Sequence, residues 1–178
     1  MPRNKRLQDR DEKCKEIIDA AQQLFLQDGY DATAMSKLAQ AAGIAPNTIY
    51  WYFKDKDDVL VAVLTAELST RMTAYLEQTF ASPAERLLWV MQQLEQTGKL
   101  VSVVHARLAL SPAIDAWHQR FHDLIDGLMD LELQQLGIPN EHQNALKHIW
   151  TFSIEGVLVH ALSDAQKTAI CEALLHLH

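Results

Sequence analysis

The chain of 178 residues is poor in everything that staples or breaks a fold. Its two cysteines, Cys14 and Cys171, lie far apart and form neither a CxxC pair nor a Cys/His ligand spacing. A disulfide framework and a zinc-finger site are thereby excluded, and a reducing cytosol is the expected compartment. No stretch approaches the roughly 18 consecutive apolar residues of a membrane span. The opening MPRNKRLQDRDEKCKE lacks the apolar core of a secretory signal, so a soluble cytoplasmic protein is expected. Strict period-two alternation is missing too. Leu100-Val101 and Val103-Val104, the most strand-like stretch, are short and isolated, so no sheet is expected. HExxH, GxSxG, a P-loop and GxGxxG are all absent, and the pairs Asp57/Asp58 and Asp126/Asp130 read as helical surface charge. No enzymatic activity, cofactor or metal is expected.

Only six glycines and five prolines occur, while hydrophobic residues make up 48% of the chain. That combination predicts an all-α protein of about nine long helices with a sizeable core. Ile17, Ala20, Ala21, Leu24 and Phe25 share one helical face from about Arg10 to Gln27, and Gly29 stops that helix. A second helix is predicted with Thr33 as its cap and Met35, Leu38, Ala39 and Ala42 inward, ending at Gly43. Pro46 suits the first position of a third helix, which runs to about Phe53. Breaks at Ser82-Pro83, Gly98, Ser111-Pro112, Gly137-Ile138-Pro139 and Ser163-Asp164 delimit helices near 56–80, 83–96, 99–109, 112–136, 140–162 and 164–177.

Two short helices joined by a glycine turn and backed by an amphipathic helix have the anatomy of a helix-turn-helix reader of DNA. Ile49 and Phe53, four residues apart, should face Leu38 and Phe25, turning Pro46, Asn47, Thr48 and Trp51 to solvent. Asn47 and Thr48 are the candidates for reading base edges. The hydroxyls of Thr33, Ser36, Tyr50 and Tyr52 and the ammonium groups of Lys37, Lys54 and Lys56 suit phosphate. Before the first helix, Arg3, Lys5, Arg6, Arg10, Lys13 and Lys15 outnumber Asp9, Asp11 and Glu12, as expected of a disordered basic arm that reaches along the backbone or into a minor groove.

The run Thr33…Leu38-Ala39…Ala42-Gly43-Ile44…Ile49-Tyr50-Trp51-Tyr52-Phe53…Lys56…Leu60, with Ala21-Leu24-Phe25-Gly29 before it, resembles the DNA-binding domain of TetR-family transcriptional regulators over roughly residues 14–60. The resemblance implies phosphate contacts for Tyr50, Thr48 and Lys56. It also implies a reader over 1–55 and a ligand-binding and dimerisation body over 56–178. Two positions depart from the family's pattern. Ala45 stands where a serine cap is common, and Asn47 where glycine is frequent. Losing a side-chain cap costs ~0.5–2 kcal/mol, which Pro46 offsets in part by stiffening the helix start.

In the body, Glu155-Gly156-Val157-Leu158 looks like the small-residue site of the family's dimer helix. The expected homodimer interface comprises Ile154, Gly156, Val157, Leu158 and Ala161, completed by Ala169, Ile170, Ala173, Leu174 and Leu177 of the last helix. A pocket for an unidentified small-molecule effector is expected among Trp89, Leu100, Val104, His105, Trp117, Phe121 and Trp150, drawn from a wider pool of large residues. His118 and His122 share a helical face with Asp115, a spacing that reads as a solvated face before it reads as a metal site. The expected function is a ligand-released repressor binding a palindromic operator as a dimer. The competing reading is a helical adaptor without DNA binding, which would have no need of Thr48, Tyr50, Lys54 and Lys56 facing phosphate.

The net charge of -7 argues against a nucleic-acid partner only until it is divided along the chain. Residues 1–56 hold nine basic and eight acidic residues, whereas residues 57–178 hold seven and fifteen. The acidity belongs to the body, and the weakly basic reader predicts binding that salt disrupts easily.

Overall fold

A computed structural model describes residues 2–176, with side chains from Asp9 onward. Eight α-helices and one 3-10 turn follow one another without a strand among the described residues. They are α1 (Pro2–Gln27), α2 (Met35–Ala41), the 3-10 turn (Thr48–Trp51), α3 (Lys56–Glu77), α4 (Pro83–Gln96), α5 (Gly98–Arg107), α6 (Pro112–Gln135), α7 (Asn140–Val159) and α8 (Asp164–Leu175).

The breaks lie where residue chemistry demands them. Gly43 has φ +66° and Gly137 φ +73°, left-handed conformations that glycine adopts without a Cβ penalty. At each, the glycine and the following residue donate back to the helix, Gly43 to Gln40 and Ile44 to Ala39, Gly137 to Gln134 and Ile138 to Leu133. These paired bonds satisfy carbonyls the helix end would otherwise leave open. Ser82 caps α4 by accepting from the Glu85 N–H, and Ser163 with Gln166 forms a reciprocal capping box on α8.

The chain packs as two units. The first comprises residues 1–76 and 99–118, and the second residues 77–98 and 119–178. In the first, Ile17, Ala21 and Phe25 of α1, Leu38 and Ala39 of α2, Ile49 of the 3-10 turn and Phe53 beyond it form one buried cluster with Val59, Leu60, Val63 and Leu64 of α3. Leu100 and Val104 of α5 and Ile114 of α6 complete it. In the second, Met91, Met129, Leu133, Leu146, Trp150, Ile154, Val157, Cys171 and Leu174 join α4, α6, α7 and α8. Lys167, itself buried, pairs with Glu95 at 2.7 Å, and Arg86 pairs with Glu132 at 2.5 Å.

The structure differs from the sequence reading at several places. The residues expected to form a basic arm continue as the first turns of α1, which starts at Pro2. The side chains of Arg3, Lys5 and Arg6, like Leu177, lie outside the described residues. Thr33 is not the cap of α2. Ala34 holds that position without a side-chain bond, and Thr33 is fully buried, donating its hydroxyl to the Gly29 carbonyl at 2.8 Å. The third helix shrinks from Pro46–Phe53 to four residues of 3-10 helix. Neither Ala45 nor Asn47 supplies a side-chain cap, and the start is tied instead by the Thr48 N–H donating to the Ala45 carbonyl at 2.9 Å. Such three-residue bonds tighten an uncapped turn into 3-10 geometry. The division at residue 55 is also not where the packing divides, because α3 delivers four residues into the first core and α5 returns to it. Among the described helices only α3 is long and apolar enough by composition to cross a membrane, and its Val59, Leu60, Val63 and Leu64 are buried in the first core.

Candidate nucleic-acid interface

Buried Ile49 and Phe53 anchor the 3-10 turn, and the residues between and before them face outward. Tyr50 is 55% and Trp51 79% exposed, large apolar surface that nothing in the first core claims. Pro46 and Asn47 are exposed at the entry to the turn, whereas Thr48 and Tyr52 are half-buried, Tyr52 against the core. On the neighbouring helix Ser36 and Lys37 are exposed, and with Gln40, Gly43, Ile44 and Pro46 they line a shallow depression between α2 and the turn. Lys37 pairs with Asp28 at 2.8 Å, an exposed bridge that costs little to exchange for another anion. Lys54 is exposed, and its backbone N–H donates to the Asp58 carboxylate at 3.1 Å. Asp55 in turn accepts from the Asp58 N–H at 3.0 Å, so the start of α3 is fixed immediately after the turn.

Of the eleven candidate DNA-contact residues, Thr33 is buried and half-buried Lys56 is bonded within the chain. Thr33 is sealed inside, where its hydroxyl closes the α1–α2 loop instead of meeting a phosphate. Lys56 lies on Tyr30, with Nζ donating to the Tyr30 carbonyl at 2.8 Å and sitting 4.1 Å from its ring centroid. Burial pushes the Lys56 ammonium below its ordinary pKa, although Asp31 and Asp57 work in the other direction.

Lys56 belongs to a polar cluster that the sequence reading missed. Arg107, the last residue of α5, grips Asp57 with both arms of its guanidinium, Nε to Oδ1 at 2.7 Å and Nη2 to Oδ2 at 2.8 Å. The Tyr30 hydroxyl donates to the same carboxylate, and the Arg107 guanidinium lies 5.1 Å from the Tyr30 ring centroid. Burial opposes charge on Asp57, yet the bonds from Arg107, Tyr30 and Ser111 hold its carboxyl below the usual range. Burial and the Asp57 bond push the Tyr30 phenol well above its ordinary value. Asp57 read as surface charge because its partner Arg107 is fifty residues away, beyond any local pattern. Gln40 was within reach, since it stands one helical turn from Ser36 on the same α2 face.

The expected effector residues are divided between the two units. Leu100 and Val104 are buried in the first core, His105 meets the His118 ring edge-on at 5.3 Å, and Trp117 donates to the Thr65 hydroxyl at 3.1 Å. In the second unit Trp89 contacts Phe80, Phe121 contacts His122, and buried Trp150 donates to the Leu174 carbonyl at 3.2 Å. Leu100 and Val104 are thus buried in the first core and Trp150 in the second.

The expected dimer residues differ in exposure within the chain. Ile154, Val157 and Leu174 are buried in their own chain, and Ile170 packs against that core. Gly156 and Leu158 are half-buried, and Ala161 is exposed beyond the end of α7. The apolar residues α7 leaves open are Ile149, Phe152 and Val159, with Phe152 68% and Val159 80% exposed. On α8 the exposed apolar positions are Ala165, Ala169 and Ala173.

Comparison with known proteins agrees with this reader. Residues 17–63 match the family of bacterial regulatory proteins of the tetR type. The chain is 41% identical over 56 residues to the fatty acid metabolism regulator protein of Bacillus subtilis, a match covering 32% of this chain and 29% of that relative. The matched part of the chain thus spans less than a third of that curated relative's length. Two solved structures share the fold across nearly the whole chain. A transcriptional regulator from Rhodococcus sp. Rha1 aligns with a TM-score of 0.76 at 15% identity, over 92% of this chain and 94% of that one. The transcriptional regulator FadR from Bacillus subtilis, in complex with stearoyl-CoA, aligns with a TM-score of 0.64 at 23% identity, over 92% of this chain and 96% of that one. The anchored 3-10 turn and the glycine turn behind it thus lie within a segment, residues 17–63, that is similar to the tetR family of bacterial regulatory proteins.

Proposed function

We propose that the chain is a cytoplasmic transcriptional repressor that binds a palindromic double-stranded DNA operator as a homodimer and is released by a small-molecule effector. The observation that carries this reading is the exposure of Tyr50 and Trp51 on a turn pinned from behind by Ile49 and Phe53. A soluble protein leaves such aromatics open where another molecule covers them. Asn47 and Thr48 read base edges, while Ser36, Lys37, Tyr50 and Lys54 hold phosphates. Pro46, Trp51 and Tyr52 shape the contact surface. The reader function lies in residues 1–55, and effector binding and dimerisation lie in 56–178.

The homodimer reading moves to the open face of α7, with Ile149, Phe152, Gly156 and Val159 at helical spacing, and to Ala165, Ala169 and Ala173 of α8. A second copy of the same face is the occupant that a two-fold operator requires. The effector acts only through a difference in affinity between DNA-competent and DNA-incompetent forms. Because the FadR structure holds stearoyl-CoA, long-chain acyl-CoA thioesters are the first effectors to test. The decisive experiment is selection of duplexes by the full chain from a random pool. Recovery of an inverted repeat with half-sites about 10 base pairs apart, or a multiple of that, supports the proposal, and recovery of no enriched sequence refutes it.

A further inference from the structure

The residues best held by ion pairing in the first unit are not those that face outward, and their arrangement indicates what they do. Asp57 lies in the first turn of α3, and only four residues, Tyr52 to Asp55, separate that helix from the 3-10 turn bearing Tyr50 and Trp51. Whatever fixes the first turn of α3 therefore fixes the direction in which the 3-10 turn points. Asp57 receives three elements at once. Tyr30 comes from the α1–α2 loop, Arg107 from the end of α5, and Ser111 from the start of α6. The opposite end of α5 is tied as well, since Lys99 Nζ donates to the Leu26 carbonyl near the end of α1 at 3.0 Å. Leu100 and Val104 lie buried between these two ties. Helix α5 thus spans from the end of α1 to the start of α3, fastened at both ends by cations and along its length by apolar contact.

We infer that Arg107 is a positioning residue for DNA binding, which through its two-armed grip on Asp57 holds the recognition turn in its binding orientation without touching DNA. This inference rests on the DNA-binding reading above. It makes α5, far from the reader in sequence, part of the reader's framework, so that a displacement of α5 reaches the DNA surface through one carboxylate. Only a planar guanidinium meets both oxygens of Asp57 while lying over the Tyr30 ring, so a lysine in its place retains the charge and loses the grip.

The test uses the full chain and a duplex recovered by its own selection from a random pool. Affinity is measured per active molecule, from stoichiometric titration well below the melting temperature, and as a function of salt. Global destabilisation lowers the active fraction and leaves the affinity of the remaining molecules unchanged, so this readout isolates positioning. Arg107→Lys and Asp57→Asn should each weaken binding about tenfold, with an unchanged slope of log affinity against log salt. The double variant should be no weaker than the worse single variant, because both changes break one bridge. Wild-type affinity per active molecule in the two single variants would overturn the inference, as would additive losses. A slope reduced by about one in Arg107→Lys would also overturn it, since Arg107 would then be a phosphate contact. If the wild-type chain enriches no duplex, the DNA-binding reading fails, and this inference fails with it.

Discussion

At the scale of single residues, exposure separates roles that sequence alone assigns together. Eleven side chains between Thr33 and Lys56 suit DNA by chemistry, yet Thr33 and Lys56 are spent on holding the loop at Tyr30. A hydroxyl or an ammonium has many uses, and only its surroundings select among them. The remaining candidates make a contrast that can be measured. Asn47→Ala should change the ranking of operators while leaving the salt dependence alone, because a base contact carries sequence information and no counterion. Lys37→Ala should weaken all sequences alike and reduce the salt slope by about one. Salt-controlled mobility shifts on a panel of mutated operators would show both effects, and identical behaviour of the two variants would refute the division. Asp57 adds a pH dependence of stability. Its folded-state pKa lies below the ordinary carboxylate value, so its stabilising contribution is complete above about pH 4 and disappears as acid protonates it below that. Asp57→Asn should be less stable than wild type at neutral pH, and the gap should narrow as pH falls through that range in urea denaturation. A constant gap would mean the bridge contributes nothing to the acid response.

Among the helices and their connections, the punctuation of this chain was readable and the conformation of one element was not. Ser82-Pro83, Gly98, Ser111-Pro112, Gly137 and Ser163 mark helix boundaries within a residue or two, because glycine and serine act there through their own backbone freedom or side-chain oxygen. The third helical element is shorter than its sequence predicts. Pro46 permits a helix start but supplies no acceptor, and with Ala45 and Asn47 giving no side-chain cap the turn closes by short-range bonds as four residues of 3-10 helix. The short turn gives Gly43 a larger role, since the direction of the chain after α2 depends on its φ of +66°. A Cβ there would meet no neighbouring atom, so substitution costs conformation only. Gly43→Ala should destabilise the protein by ~1–2 kcal/mol, the cost of a left-handed alanine. Gly98→Ala, which also meets nothing but lies at a helix start without positive φ, should cost less or even stabilise. Equal losses of melting temperature in the two variants would contradict this account.

For the whole molecule, the hardest feature to read was which side of a doubly apolar helix turns inward. Along α7, Leu146, Trp150, Ile154 and Val157 recur at helical spacing, and so do Ile149, Phe152, Gly156 and Val159 on another face. Periodicity fits both sets equally, and the small residue Gly156 drew the interface toward its buried neighbours. What decides is the partner each face finds within the chain. The first set meets Met91, Cys171 and Leu174, so its burial is complete without a second copy. In the second set Ile149, Phe152 and Val159 are exposed within the chain, with Phe152 and Val159 the most open large apolar residues of the helix. Exchanging these faces reverses what a mutation should do. Ile154→Ala removes core packing and should cost ~2–5 kcal/mol of stability while leaving the oligomeric state unchanged at concentrations where the chain is folded. Phe152→Glu places a charge where the second copy would sit, and it should convert the proposed dimer to a folded monomer with unaltered helix content. Sedimentation and circular dichroism on the two variants decide between the faces. A dimeric Phe152→Glu variant alongside a monomeric, folded Ile154→Ala variant would return the interface to the residues now assigned to the core.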